Sequence, residues 1–244
     1  MRVRRTIPLA LLLLALQLQV AAAGQKKAAR AVRPQSKKAA AAKFARVERF
    51  EKNGLGKSRA KVTRALESPK VDRATATAAI VRIMDTTYMR VGSEKYARKK
   101  KPSFGASSLR KDQVKVRGDR VTFDFMGKSG VHWQRTVRDR QLAGALRMFL
   151  RSPGKRLFQL ESGAVTETDV RDFLRPYGAL PKDLRTLHAN RLLDIELRKP
   201  GAPSKAKLDA AVRAVAAELG HTPAISRAAY LNPVKLETYL LRTK

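Results

Sequence analysis

QVKVRGDRVTFDFMGKSGVHWQRTV, Gln113–Val137, is the stretch in which the hydrophobic period of the chain drops to two. It reads as three short strands. Arg117-Gly118-Asp119 makes the first turn, better understood as a turn than as an adhesion motif. Gly127-Lys128-Ser129-Gly130 makes the second, a tight hairpin between FDFM and VHWQRTV. Trp133, the single tryptophan, falls on the third strand and reads as sheet core rather than as a stacking platform.

On either side of this sheet the period is helical. Upstream, KFARVERFEKNG sets Phe44, Val47 and Phe50 at i, i+3 and i+6, with Gly54 as the stop. A second short helix is expected from Ser58, with that serine as its N-cap, and a longer one from Asp72 to near Gly92. Downstream, RDRQLAGALRMFLRS, TETDVRDFLRPYG, LPKDLRTLHANRLLDIELRKPG, SKAKLDAAVRAVAAELGH and NPVKLETYLLRTK each read as a helix. Leu184, Leu187, Leu192 and Ile195 run along the third of these, and Gly220 closes the fourth. Tyr239 reads as a core aromatic. No internal repeat is present. The expected class is α+β and mainly α, with one small antiparallel sheet.

Composition narrows the partners. The 244 residues carry 53 Lys+Arg against 20 Asp+Glu, a formal charge of +33 spread along the whole chain. A fold this basic repels itself unless it meets a polyanion, so nucleic acid comes first and a membrane surface second. The absence of cysteine excludes thiol nucleophiles, disulfides and thiolate zinc sites.

The first residues differ from the rest. MRVRRTIPLALLLLALQLQVAAAG, residues 1–24, has a basic start, a short apolar run and a small-residue end, the form of a secretory signal peptide. An export signal, an organelle-type presequence and an early start codon all fit, so export or organelle targeting stays open. Membrane contact is expected only through this segment, if it is retained. Residues 25–42 are Ala/Lys/Arg-rich, without acidic residues, and are expected to form a disordered basic arm.

No P-loop, no GxGxxG on a βα unit and no HExxH is present, and His132, His188 and His221 lie far apart in sequence. Neither a metal nor a small-molecule cofactor is therefore expected. Phosphoryl transfer run by cations and a side-chain nucleophile remains. In-line attack on a phosphodiester builds charge on non-bridging oxygens, which guanidinium groups stabilise bidentately. The leaving 5′-oxygen needs a proton, and a tyrosine ester conserves the bond energy without ATP.

MRVGSEKYA (Met89–Ala97), SFGASSLR (Ser103–Arg110), FMGKSGV (Phe125–Val131), PKDLRT (Pro181–Thr186) and LGHTPAISRAAYLNP (Leu219–Pro233) together resemble type IB DNA topoisomerases of the bacterial and poxvirus kind, in the family's order. The resemblance covers residues 43–244 and implies the helical catalytic domain that these enzymes share with tyrosine recombinases. It implies that Arg90 and Arg185 bind the scissile phosphate, that Lys128 protonates the 5′-oxygen, that His221 donates to a phosphate oxygen and that Tyr230 is the nucleophile. Lys182 matches an assisting lysine. Lys95 and Tyr96 match positions that touch DNA. Double-stranded DNA is the implied partner, and a monomer acting in association with DNA is the implied state. No counterpart of the family's N-terminal β-rich domain is expected in residues 1–42, which are short and poor in strand-forming pattern.

Two other readings compete with this one. A tyrosine recombinase shares the Arg–Lys–Arg–His–Tyr set, but usually has histidine where Lys182 stands. A non-catalytic basic DNA-binding protein would explain the charge but not the ordered blocks.

Overall fold

The computed structural model describes residues 36–242. The signal-like segment and residues 25–35 of the basic arm lie outside the described residues. Helix α1 (Lys37–Arg49) opens the described chain, capped by the Ser36 side chain, so residues 37–42 are helical rather than part of an arm. Its buried stripe is Lys43, Val47 and Phe50; Phe44 is only half-buried.

Gly54 does not stop this helix. A π-helical turn (Phe50–Gly54) carries the chain without a break into α2 (Leu55–Glu67), and Gly54 keeps right-handed backbone. Its role is close packing, since a Cβ there would fall 2.5 Å from the Tyr177 carbonyl oxygen. Ser58 is correspondingly no N-cap: it is buried inside α2 and donates to the Leu55 carbonyl at 2.9 Å. Helix α3 (Arg73–Thr87) starts at Asp72, whose carboxylate accepts from the Thr75 amide at 2.8 Å. It ends before Gly92. Tyr88 turns left-handed (φ 61°) and its amide closes the last turn on Met84.

A single helical turn, α4 (Glu94–Ala97), precedes the sheet. Strands β1 (Val114–Arg117), β2 (Arg120–Met126) and β3 (His132–Arg138) form an antiparallel meander. The register pairs Val116 with Val121 and Phe125 with Trp133. Alternation puts Val121, Phe123, Phe125 and Trp133 on the buried face. The sequence does not predict the short hairpin formed by β4 (Gln159–Leu160) and β5 (Gly163–Ala164). Two-residue strands are too short to leave a period.

The remaining helices follow the sequence reading. Asp139 caps α5 (Arg140–Arg151) and Thr166 caps α6 (Glu167–Leu174), each cap contributing ~1 kcal/mol. Then come α7 (Pro181–Arg198), α8 (Lys205–Glu218), α9 (Pro223–Ala229) and α10 (Pro233–Leu241). Helix α9 stands where the sequence suggests only a Pro-containing connection.

Two apolar clusters hold these elements. The larger joins α1–α3, the sheet, α5 and α6 around Phe50, Phe123, Phe149 and Phe158, each worth roughly 1.5–3 kcal/mol on burial. The smaller joins α7 to α8–α10 through Leu193, Val212, Leu219, Leu231 and Tyr239. Helix α7 belongs to both, with Leu184 and Leu187 in one and Ala189 and Leu193 in the other. Arg185 is buried on this shared helix.

Candidate active site

Arg185 is 2% exposed, and among the described residues no carboxylate lies within ion-pair distance of it. Its guanidinium donates to the Tyr88 carbonyl, where α3 ends, and to the Leu219 carbonyl, where α8 ends. These acceptors are left over at helix C-termini, where a cation is favoured. The guanidinium carbon lies 5.3 Å from the Tyr230 ring centroid and 5.8 Å from that of Trp133. Its Nε is buried without a partner. Burial, then the neighbouring Arg90, push Arg185 down to about 9, which still leaves it cationic at neutral pH.

Arg90 sits in the extended segment between α3 and α4. Its carbonyl accepts from the Ala106 amide at 2.9 Å, and that of Val91 from Ser107 at 2.6 Å. The MRVGSEKYA and SFGASSLR blocks thus pack directly on each other. A Cβ on Gly105 would fall 2.6 Å from both the Arg90 oxygen and Gly92, so the contact requires glycine. Arg156 holds the assembly, donating to Ser107 (2.9 Å) and Val165 (2.8 Å) while pairing with Glu94 at 2.7 Å.

His221 and Tyr230 stand at opposite ends of α9. Thr222 caps that helix and Pro223 occupies its first turn. The two rings stack, with centroids 4.9 Å apart and planes 9° from parallel. The His221 Nδ1 lies 3.2 Å from the Ser226 hydroxyl and 3.3 Å from the Thr222 carbonyl, while Nε2 is buried and unpartnered. Burial, then Arg185 and Arg90, hold His221 down to about 3, so the ring is neutral. Two tautomers fit these contacts: with Nδ1 accepting from Ser226 the proton sits on Nε2 and can be donated, and with Nδ1 donating to the Thr222 carbonyl it does not.

Tyr230 is 6% exposed. Burial alone would raise its pKa, but the charges of Arg185, Arg90 and Lys182, with hydrogen bonding from Arg185, pull it below the ordinary tyrosine value. Lys182 lies 5.4 Å from its ring centroid. Arg90, Arg185, Lys182, His221 and Tyr230 therefore form one electrostatic cluster.

Lys128 is not in contact with that cluster. It is exposed at the β2–β3 tip, where Ser129 (φ 64°) and Gly130 (φ 72°) are left-handed. The hairpin nonetheless docks on the site. Arg135 on β3 donates to the Glu218 carbonyl at 2.7 Å and pairs with its carboxylate at 3.0 Å. Trp133 is core, as expected, and also packs against Gly220, where a Cβ would come within 3.0 Å of its ring. Lys95 and Tyr96 are exposed on α4, with Lys99 over the Tyr96 ring at 4.8 Å.

Several supporting residues carry no clear signal in the sequence. Ser226 is one helical turn before Tyr230, a spacing legible only once α9 is recognised as a helix. Asn190, on α7, donates to the Tyr230 carbonyl at 2.9 Å and accepts from the Asn232 amide at 2.9 Å. Lys43 donates to the Ala229 carbonyl at 3.2 Å. Asp183 holds Arg46 through a bidentate contact of 2.7 and 3.0 Å. His188 and Arg59 both hold Asp85 at 2.7 Å, and the His188 ring lies 4.7 Å from that of Tyr88. Among the described residues no three His, Cys, Asp or Glu side chains are grouped to hold a metal ion, and no helix is long and apolar enough to cross a membrane.

A buried arginine beside a stacked His–Tyr pair, with no carboxylate in ion-pair contact among the described residues, makes a cationic site suited to a bound anion such as a phosphate. The family described as Eukaryotic DNA topoisomerase I, catalytic core, matches residues 31–241, and the chain belongs to that family. It is 34% identical over 171 residues to DNA topoisomerase 1B of Acanthamoeba polyphaga mimivirus, which covers 62% of this chain. The chain spans about half (51%) of that relative's length. Among solved structures, a XerH site-specific recombinase bound to difH substrate in a pre-cleavage complex is 17% identical, with TM-score 0.46, covering 75% of this chain and 52% of its own. A post-cleavage complex of XerH with palindromic difH is 16% identical, again with TM-score 0.46, covering 75% and 50%.

Proposed function

We propose that the chain relaxes supercoiled double-stranded DNA by transient cleavage of one strand, without ATP. The observation that carries this reading is the buried, carboxylate-free Arg185 set beside Arg90 and the Tyr230 ring. Such a cluster is stabilised by a bound phosphate or by the charge of a phosphorane.

The Tyr230 oxygen attacks the scissile phosphorus and releases its proton to solvent. A P–O(Tyr) bond forms as the P–O5′ bond breaks. Arg90, Arg185 and Nε2–H of His221 stabilise the charge on the non-bridging oxygens, and Lys182 adds a cation beside Tyr230. Lys128 gives its proton to the departing 5′-oxygen, reaching it from the exposed end of a hairpin that the duplex would seat. The free end rotates. The 5′-hydroxyl then attacks the 3′-phosphotyrosine and returns its proton to Lys128; the P–O5′ bond re-forms as the P–O(Tyr) bond breaks, and Tyr230 takes a proton back from solvent. Lys95 and Tyr96 touch DNA beside the break. Since Arg90, Arg185, His221 and Tyr230 all come from one chain, a monomer suffices. The protein acts where DNA is, and its signal-like segment leaves export or organelle targeting open.

The test is relaxation of negatively supercoiled plasmid by the full chain in EDTA without ATP. Relaxation is expected, together with a covalent DNA adduct, and both are expected to vanish in Tyr230→Phe. Relaxation that survives in Tyr230→Phe would overturn the assignment.

A further inference from the structure

The resemblance blocks say nothing about α1, yet α1 places a charged group directly behind the tyrosine. Lys43 is 7% exposed, on the stripe that otherwise buries Val47 and Phe50. Its ammonium lies 4.1 Å from the Phe44 ring centroid and donates to the Ala229 carbonyl at 3.2 Å. Ala229 is the last residue of α9, so this carbonyl is one that the helix itself leaves unsatisfied, and a cation there also complements the helix dipole.

The placement matters because Ala229 immediately precedes Tyr230. The Ala229 carbonyl belongs to the peptide unit that enters Tyr230, and Lys43 holds it. The Tyr230 carbonyl belongs to the unit that leaves, and Asn190 holds that one at 2.9 Å. Both peptide planes on either side of the Tyr230 Cα are therefore fixed by side chains from other helices, α1 and α7. Two fixed planes fix the Cα–Cβ direction. A rotation of ~10° there would carry the hydroxyl about 1 Å, a displacement that can cost roughly 10²-fold in rate.

We propose that Lys43 is a positioning residue for the nucleophile, its ammonium bracing the peptide plane ahead of Tyr230 while Asn190 braces the one behind. It does not itself touch the reacting phosphate. Its depressed affinity for protons, pushed down to about 8 by burial first and then by Lys182, fits an ammonium kept inside for structural aim rather than spent on the surface. The inference rests on the proposed function of Tyr230.

The test uses full-length Lys43→Met and Lys43→Arg. Methionine keeps an unbranched apolar stem of similar length and removes the ammonium, both its charge and its donors; arginine keeps a cation and a donor. Single-turnover cleavage is followed at saturating nicked duplex, religation is followed separately, and non-covalent affinity is measured in the Tyr230→Phe background. Lys43→Met is expected to slow cleavage and religation by a similar factor, roughly 10–100-fold. DNA affinity, its salt dependence and the melting temperature should hold, and Lys43→Arg should recover most of the loss. Wild-type cleavage by Lys43→Met would overturn the proposal. So would a loss confined to affinity with a shallower salt slope, which marks a phosphate contact, or a collapsed melting transition, which marks a purely structural role. Failure of the wild-type chain to form an adduct would instead overturn the function on which the proposal stands.

Discussion

His221 and Tyr230 lie face to face, ring centroids 4.9 Å apart and planes 9° from parallel. The neutral imidazole is therefore held against the Tyr230 ring and does not titrate in the neutral range. Burial, Arg185 and Arg90 hold its pKa down to about 3. Its ring resonances in the free protein should stay flat from about pH 8 to about pH 4, where an ordinary histidine titrates at ~6.5. The unfolded chain binds that proton and the folded chain does not. This group's contribution to stability is thus present above the unfolded pKa and is lost as pH falls towards the folded value. An NMR inflection near pH ~6.5 would contradict the geometry.

Replacing Ser226 tests the tautomer. Ser226→Ala removes the hydroxyl 3.2 Å from Nδ1 and leaves Thr222 as the remaining Nδ1 neighbour, an acceptor that favours the proton on Nδ1. Cleavage should fall about 10²-fold, the scale of losing one oxyanion donor. His221→Ala should fall as far, and the double variant should fall little further, as expected when both act through one hydrogen bond.

Arginine at position 185 is not replaceable by lysine. The fork spans carbonyls at the ends of two helices, Tyr88 and Leu219, while its face lies near two aromatic rings. An ammonium cannot satisfy both carbonyls and still offer a planar pair of donors to phosphate. Arg185→Lys should lower single-turnover cleavage by about 10²–10³-fold. Cleavage within a few-fold of wild type would show that charge alone suffices.

Lys128 is exposed at the hairpin tip, outside both apolar clusters, so Lys128→Ala should leave the melting temperature unchanged. Cleavage of ordinary DNA should fall about 10²–10⁴-fold, the range for loss of a general acid. A substrate with a 5′-sulfur leaving group, which departs without a proton, should be cleaved at close to the wild-type rate. Equal slowing on both substrates would remove Lys128 as the acid.

The acid limb of stability belongs partly to Asp85. Burial raises its pKa, but His188 and Arg59 outweigh burial and bring it to about 2, from an ordinary 3.8. Its stabilisation is fully present above the unfolded value and is lost as pH falls through about 2. That difference is worth about 2 kcal/mol at neutral pH. Asp85→Asn should therefore lower stability by about that amount at neutral pH and shrink the acid-induced loss in a denaturant titration.

The sheet, the major helices and the cluster around Tyr230 are legible because each leaves a local trace: a period, a cap or an ordered block. Gly54 and Ser58 mislead because both have strong local meanings that tertiary packing overrides. The close approach of Tyr177 demands a glycine inside a continuing helix, and a serine can return its hydroxyl to its own helix. The roles of Lys43 and Asn190 are invisible for the opposite reason. Their partners are backbone carbonyls distant in sequence, and a carbonyl has no letter in the sequence.

Gly220 sets a clearance. With hydrogen where any other residue carries carbon, the Trp133 ring lies against the turn that leads into His221, and the same ring lies near Arg185. The strand that follows the Lys128 hairpin tip and the turn that leads into His221 are thus joined by one close contact. A chain with 53 basic residues can exchange many surface charges and keep its grip on a polyanion. One added carbon at Gly220 would sit 3.0 Å from the Trp133 ring on a left-handed backbone (φ 59°), so ring and turn would have to shift apart.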